Sequence, residues 1–205
     1  MSLQASAAVQ QANRWDGGVC PFGAGWRTVM LWWFIISDGL LFAGFLAAYG
    51  YARLSVSNWP DASQVFSLPF LTAMTVVLLA SGATMTLAVE AARREEWSTC
   101  STFILVTGLI GLAFLGLQAW EWRHLIADGA RMNTNPWGAV AFGAYFFVIT
   151  GFHGLHVFTG TVVLATAARR VWARRATAVG VEMVGLYWHF VEMVWVFIFT
   201  LFYLL

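Results

Sequence analysis

Five long apolar stretches take up most of this 205-residue chain, and each is long enough to cross a lipid bilayer as a helix. They cover residues 26–54, 68–92, 97–126, 137–168 and 178–205. Backbone groups in lipid are satisfied only in helices or closed barrels, and these stretches lack the alternating pattern of barrel strands. Because 60% of the residues are hydrophobic and only 10% are charged, a soluble domain of this size could not bury them. The sequence therefore predicts an all-α integral membrane protein, a bundle of five transmembrane helices.

The distribution of arginine predicts the orientation of these helices. With five spans, the N-terminus and the second and fourth loops share one side of the membrane. That side carries eight arginines (Arg14, Arg27, Arg93, Arg94, Arg169, Arg170, Arg174 and Arg175), and the other carries Arg53, Arg123 and Arg131. Because basic residues concentrate on the cytoplasmic side, we expect a cytoplasmic N-terminus and a periplasmic C-terminus.

The first 25 residues differ in composition from the rest of the chain. They are rich in Ala, Gln, Ser and Gly, and they lack the basic start and apolar centre of a signal peptide. We expect residues 1–25 to form a cytoplasmic tail and residues 26–205 to form one transmembrane domain. The net charge of +1 gives no electrostatic basis for a nucleic-acid partner.

Five ionisable residues lie at similar depths in three of the predicted helices: Asp38, His153, His156, His189 and Glu192. Counted from the cytoplasmic end of each helix, they lie about 11 to 16 residues in, which is on the order of 16–24 Å. Residues three apart share a helix face, as His153 and His156 do, and also His189 and Glu192. Charged or polar groups facing lipid are unfavourable, so we expect these residues to face the bundle or a partner and to pair with one another.

Three interpretations of this buried polar layer remain open from spacing alone. The histidines could ligate a metal or haem, with the carboxylates tuning them. A buried chain of carboxyl groups and histidines could instead relay protons. The third interpretation is structural, with hydrogen bonds joining helices, and it is favoured because satisfied polar contacts are the commoner case.

Small residues mark faces where helices can approach closely. Gly151, Gly154 and Gly160 surround the histidines of the fourth span, and residues 81–84 (SGAT) lie in the second. Without bulky side chains, the backbones of neighbouring helices can come closer together. We therefore expect a packed helix against each of these stretches.

Other candidate residues lie near the helix ends. Glu121 and His124 close the third span, where we expect a solvated interfacial cluster, because charged groups near helix ends reach water. Arg169 and Arg170 at the end of the fourth span could contact a lipid phosphate, although the positive-inside rule also accounts for them. No catalytic triad, phosphate-binding loop or dinucleotide fingerprint occurs at a workable spacing, so we assign no catalytic residue.

Two motifs resemble signatures of subunit III of haem–copper terminal oxidases: GFHGLHV at 151–157 and YWHFVEMVW at 187–195. The stretches 36–45, 81–84 and 117–121 match the same family in order, so that the likeness covers residues 26–205. It implies a five-helix form of the family. The first two helices of the seven-helix form, which make one wall of a phospholipid-holding cleft, are missing. Asp38 stands where many members have Glu, and Glu192 where many have Asp.

The resemblance implies a non-catalytic subunit III of an aerobic respiratory oxidase in a bacterial inner membrane, and it favours a cytochrome c oxidase. Such a subunit packs on subunit I beside subunit II, stabilises subunit I during turnover, organises lipid and supports proton uptake. It binds no haem or copper itself, since its partners carry both, but it binds phospholipid. By this likeness, Asp38, His153, His189 and Glu192 would form an internal polar cluster, and Arg170 would contact a lipid phosphate.

The resemblance leaves the electron donor open. Phe152 and the stretch 187–190 favour the branch that uses cytochrome c, but subunit III of a quinol oxidase and the related protein of nitric oxide reductases share the frame. A different class of protein is a free-standing membrane cytochrome with His153, His156 and His189 as ligands. The isolated chain would be coloured by haem in that case and colourless as an accessory subunit.

Overall fold

The computed structural model describes residues 25–204, which fold almost entirely into helices. Five of them are long: α1 (Trp26–Ser55), α3 (Leu68–Arg93), α4 (Trp97–Ala127), α5 (Val140–Trp172) and α6 (Ala178–Phe199), with a single turn, α2 (Ala62–Val65), before α3. A π-helical segment, Thr200–Leu204, continues α6. We find no β-strand within residues 25–204, where a single bridge joins Arg131 and Thr134. The predicted all-α fold is confirmed.

All five long helices have the length and composition of membrane spans. The shortest of them, α6 with 22 residues, is about 33 Å long at 1.5 Å per residue, which still exceeds the hydrocarbon core of a bilayer. Many large apolar side chains point outward, including Trp33, Leu109 and Leu155, each more than half exposed. An outward apolar surface is stable only in contact with lipid or with another membrane protein. The chain is a multi-pass membrane protein, and the orientation of its ends stays a prediction.

The boundary between two compact units falls inside α1, between Asp38 and Gly39. Within the unit that begins at Gly39, α3 packs against α4 and α6, and α5 packs against the same two helices. These four helices therefore close a ring around a common core. The largest side chains that are completely shielded from solvent in this core are Trp188, Trp195 and Phe114.

The part of α1 that belongs to this unit contacts the ring through aromatic side chains. The ring of Phe42 lies 5.1 Å from that of Phe152 on α5, and Tyr49 stacks on Phe202 of the π-helical segment with a centroid distance of 3.9 Å. Phe45 makes an edge-to-face contact with Phe152. Such pairs add to the stabilisation from burial alone.

Helix α5 begins at Val140, three residues after the predicted start at residue 137. The loop before the helix explains the difference. The side-chain oxygen of Asn135 accepts hydrogen bonds from the backbone N–H groups of Trp137 and Gly138 at 2.9 and 3.0 Å, which holds a turn. Gly138 has a φ of +146° and approaches the carbonyl of Asn58 so closely that a Cβ would overlap it. A left-handed backbone in tight contact favours glycine at this position.

Candidate functional site

The carboxyl group of Glu192 is the centre of the largest polar network inside the ring. Glu192 is 6% exposed and lies on α6. The hydroxyl of Ser81 on α3 lies 2.7 Å from its Oε1, and Nδ1 of His189 lies 3.1 Å from its Oε2. Ser81 in turn accepts a hydrogen bond of 2.9 Å from the indole N–H of Trp188. Four polar side chains from two helices are thus satisfied by one another, as buried polar groups require.

Glycine makes room for this carboxyl group. Gly82 lies directly against Glu192, and a Cβ at this position would overlap Oε2 and stand 2.9 Å from Cδ. Glycines also make room for the neighbouring indole of Trp188. A Cβ at Gly111 would lie 2.5 Å from this ring, and one at Gly160 would lie 2.8 Å from it. Glycines on α3, α4 and α5 therefore shape the space into which α6 inserts its Glu and Trp side chains.

His189 links the buried carboxyl to the outer surface of α3 and α6. Its side chain is 43% exposed, whereas that of Glu192 is 7% exposed. The other ring nitrogen, Nε2, lies 3.5 Å from the hydroxyl of Thr86, which is at the limit of a hydrogen bond. The imidazole therefore covers Glu192 on one side and reaches the outside of the ring on the other.

His153 makes a different contact between helices. It is completely buried on α5, and its Nε2 donates a hydrogen bond of 3.2 Å to the backbone carbonyl of Val191 on α6. Its ring packs edge-on against Phe114 of α4 at 5.8 Å and lies 5.1 Å from the ring of Trp195. A donor to a carbonyl must carry its proton, so Nε2–H is the tautomer assigned by this geometry. His153 thus joins three helices.

His156 and Asp38 have other surroundings. Nδ1 of His156 lies 2.8 Å from the carbonyl of Phe152, one turn earlier on α5, and its ring packs against those of Phe152 and Phe42. The hydroxyl of Tyr187 donates to the backbone carbonyl of His156 at 3.1 Å.

Asp38 is buried, with 8% of its surface exposed, and lies at the end of the first compact unit. Within the second unit, the structure brings His189 and Glu192 into contact and places His153 of α5 against the backbone carbonyl of Val191, the residue before Glu192 on α6. A single cluster of all five predicted residues stays a prediction.

Several hydrogen bonds between helices were not anticipated from the sequence. The indole of Trp195 donates to the hydroxyl of Thr75 at 3.0 Å, and the amide of Gln118 donates to the carbonyl of Thr150 at 2.7 Å. The hydroxyls of Thr84 and Thr107 lie 2.8 Å apart. The sequence contained one signal for such a bond. Trp195 lies in the middle of an apolar span, far from the interfacial positions that tryptophan usually occupies.

The glycines around the histidines of α5 allow a neighbouring helix to approach closely, as expected. A Cβ at Gly151 would stand 2.9 Å from the ring of Trp122, and one at Gly154 would stand 3.2 Å from the side chain of Gln118. Both neighbours belong to α4. The predicted close approach of another helix at this stretch is confirmed.

Near the far end of α4, Glu121 is buried, with 8% of its surface exposed, in contrast to the expected solvated cluster. It lies beside a cavity of about 260 Å³ that is also lined by Phe66, Phe70 and His124. The neighbouring turns α2 and the start of α3 cover the carboxyl from outside, and the sequence did not reveal that covering. His124 itself is mostly exposed, and its Nε2 lies 3.9 Å from Asp128.

The structure separates the two arginines that were proposed to contact lipid phosphate. Arg169 lines a groove of about 670 Å³ between the start of α4 and the end of α5, together with Arg174, Trp97 and Trp172. Arg170 does not belong to the groove lining. Helix α5 extends to Trp172 and so carries both Arg169 and Arg170 in its last turn.

These contacts suit a structural role of the polar groups better than ligation. Among residues 25–204, no group of three or more His, Cys, Asp or Glu side chains is arranged to hold a metal ion. Nε2 of His153 is directed at a carbonyl, and Nδ1 of His189 is directed at a carboxyl group. A ligating histidine commonly makes such a bond with its other ring nitrogen, so the argument against ligation within residues 25–204 is the lack of further ligands grouped around one point.

Comparison with known proteins identifies the family. The profile described as "Cytochrome c oxidase subunit III" matches residues 20–205. A Pseudomonas aeruginosa protein named cytochrome bo(3) ubiquinol oxidase subunit 3 is 32% identical, over 93% of this chain and 87% of the relative. Two proteins named cytochrome c oxidase subunit 3 are also 32% identical. The one from Alkalihalophilus pseudofirmus covers 85% of this chain and 84% of its own length, and the one from Thermostichus vulcanus covers 87% of both.

Proposed function

Because the chain belongs to the cytochrome c oxidase subunit III family, we propose that it is the non-catalytic third subunit of an aerobic haem–copper oxidase in a bacterial inner membrane. The observation that carries this proposal is the family match, which extends over residues 20–205 and thus includes all five spans. In this role the chain packs on subunit I, the subunit with the haems and copper, and stabilises it during oxygen reduction.

The contacts inside the ring support a stabilising role. Four side chains form hydrogen bonds mainly with one another: Glu192, Ser81, His189 and Trp188. His153 forms a hydrogen bond with a backbone carbonyl. Side chains that are committed to hydrogen bonds between helices fix the geometry of those helices. A rigid ring with an apolar outer surface is suited to hold a neighbouring membrane subunit in place.

Lipid organisation and proton uptake complete the proposal. Arginines at the ends of α3 and α5 lie where the orientation predicts the cytoplasmic leaflet, and such residues attract anionic lipid. Support for proton uptake would act through the position and surroundings of subunit I. Asp38, His153, His189 and Glu192 would contribute by holding the helices, with no redox step in this chain.

A quinol oxidase is the second candidate, because the relative from P. aeruginosa matches 93% of the chain and is named a ubiquinol oxidase subunit. The two candidates differ in the electron donor and in the partner subunits, and both give the chain the same place in the complex. A free-standing cytochrome has less support, since the family that matches residues 20–205 is that of cytochrome c oxidase subunit III.

Purification of the tagged chain from its own membranes in mild detergent tests the proposal. Mass spectrometry should identify a haem-bearing subunit I among the copurifying proteins, and the preparation should consume oxygen. Oxygen uptake with reduced cytochrome c and with quinol then identifies the donor. A chain that purifies without any haem–copper partner, or that carries haem by itself, would refute the proposal.

A further inference from the structure

We propose that the cavity beside Glu121 receives a basic side chain, a lysine or an arginine, from a transmembrane helix of a neighbouring subunit. The cavity has a volume of about 260 Å³ and lies between the last turns of α4 and the segment that joins α2 to the start of α3. This inference rests on the proposed place of the chain in an oxidase complex, and it goes further because it gives the position and the chemistry of one contact.

The carboxyl group of Glu121 is not balanced by this chain. Glu121 is buried and lines the cavity, and its carboxyl group forms no hydrogen bond or ion pair with any residue in the range 25–204. All basic residues of the chain other than histidine are arginines, and none of those in the same range lines the cavity. His124, the other ionisable residue of the lining, is mostly exposed, and its Nε2 lies 3.9 Å from Asp128. Because a buried carboxylate without a partner is unfavourable, a cation from outside this chain would stabilise Glu121.

The cavity walls suit an organic cation better than a metal ion. The aromatic rings of Phe66, Phe70 and Trp120 belong to the lining, and the faces of such rings attract ammonium and guanidinium groups. Calcium and magnesium take about six oxygen ligands or more, whereas the side chains of the lining offer only the carboxyl group of Glu121 and the hydroxyl of Ser67 as oxygen ligands. The lining therefore matches the charged end of a lysine or arginine side chain.

The outer face of α4 leads to the cavity and is shaped for another helix. Leu109, Ala113, Gly116 and Trp120 are exposed, and their spacing of three or four residues places them on one face. A Cβ at Gly116 would meet nothing within 4 Å, and small residues allow a second helix to approach closely. Trp120 belongs both to this face and to the cavity lining. A basic residue of a helix on this face would lay its apolar stem along Trp120 and bring its charge to Glu121.

The chain offers a matched control for the charge. Asp128 caps the same end of α4 and also carries a carboxyl group, but it does not line the cavity. A general attraction between this end of the chain and a basic partner would depend on Asp128 as much as on Glu121. A basic side chain held in the cavity would depend on Glu121 and would tolerate the loss of the Asp128 charge.

The first test replaces Trp120 with the photo-crosslinking residue p-benzoylphenylalanine in the complex purified in mild detergent. Mass spectrometry should identify a crosslinked peptide from a copurifying subunit, with a lysine or arginine within one helical turn of the crosslinked residue. The same replacement at Leu155, which is exposed on α5, should not give this peptide.

The second test measures how fast the chain dissociates from the complex after dilution. Glu121→Gln keeps the shape of the side chain, and it should speed dissociation about tenfold, since the loss of one partner of a buried charge pair acts on the dissociation rate. Asp128→Asn should leave the rate unchanged. Replacement of the crosslinked basic residue by Gln should have the same effect as Glu121→Gln, and the double variant should dissociate no faster than either single variant.

Several results would overturn the proposal. Adducts at position 120 with lipid or detergent alone, or with a peptide without a basic residue, would mean that the cavity has another occupant. An unchanged rate in Glu121→Gln, an equal effect of Asp128→Asn, or additive effects in the double variant would mean that Glu121 holds no cation from the partner. A complex that contains a haem–copper subunit and fails these tests leaves the oxidase role standing, whereas a chain that copurifies with no such subunit refutes both proposals.

Discussion

Single side chains determine how α6 is attached to the other helices. Glu192 shows which of these contacts could be predicted from the sequence. Its position one turn from His189 was evident from the spacing, and the two groups are 3.1 Å apart. Its bond to Ser81 was not evident, because it depends on side-chain rotamers and on the rotation of α3 about its axis. Spacing along one helix predicts neighbours on that helix, but it does not identify the partner on another one.

Replacement of the Glu192 carboxyl by an amide should destabilise the complex. Glu192→Gln keeps the shape of the side chain but removes the charge-assisted contact with His189, and we expect a loss of about 1–2 kcal/mol. Thermal unfolding of the purified complex and its lifetime during turnover would measure the effect. Glu90→Gln is the matched control, because the exposed pair of Glu90 with Arg94 contributes little. Equal stability of the Glu192→Gln complex and the wild type would argue against a structural role of this carboxyl.

Gly82 should be intolerant of any side chain. In Gly82→Ala the new methyl group overlaps the Glu192 carboxyl, so we expect a lower melting temperature and a loss of about 1–3 kcal/mol from overpacking. Gly116→Ala, where a Cβ would meet nothing within 4 Å, should be neutral or slightly stabilising. Adding Glu192→Asp, which withdraws the carboxyl by one methylene, should restore part of the loss. Additive effects in this double-mutant cycle would show that the two residues do not interact.

Whole helices were predicted more accurately than single contacts. The predicted spans 68–92 and 97–126 end within one residue of α3 and α4, because apolar runs bounded by charged residues define helix ends well. Helix α5 begins three residues later than predicted, where the Asn135 turn holds the chain, and it extends to Trp172. The π-helical turn at Thr200–Leu204 had no signal in the sequence, since its residues suit an α-helix equally well.

The packing of α4 against α6 should depend on one glycine and not on its neighbour one turn away. In Gly111→Ala the added Cβ would stand 2.5 Å from the indole of Trp188, so α4 and α6 must separate or Trp188 must lose its bond to Ser81. In Gly108→Ala the nearest atom would be 3.8 Å away, an ordinary contact. We expect a lower melting temperature for Gly111→Ala alone. Equal melting temperatures of the two variants would contradict the packing described for Trp188.

The part of the molecule that begins at Gly39 places hydrogen-bonded polar side chains within a mainly apolar core and presents an apolar outer surface. The interior holds Glu192, His153, Gln118 and Thr150 in hydrogen bonds between helices, whereas the outer faces present large apolar side chains. The composition of the sequence predicted the apolar outer surface. A chain with 60% hydrophobic residues cannot bury all of them, and those on its surface must face lipid or a partner. Burial of Glu121 was missed, since it depends on how the short turn α2 and the start of α3 cover the end of α4.

A stabilising subunit without redox groups should affect how long the oxidase works more than how fast it starts. The most direct measurement is oxygen consumption by the purified complex with and without this chain, followed over many turnovers. We predict a largely retained initial rate and a much faster loss of activity in the complex that lacks the chain, reversed when the chain is restored. An initial rate that falls to background without the chain, or an unchanged lifetime, would contradict a non-catalytic stabilising role.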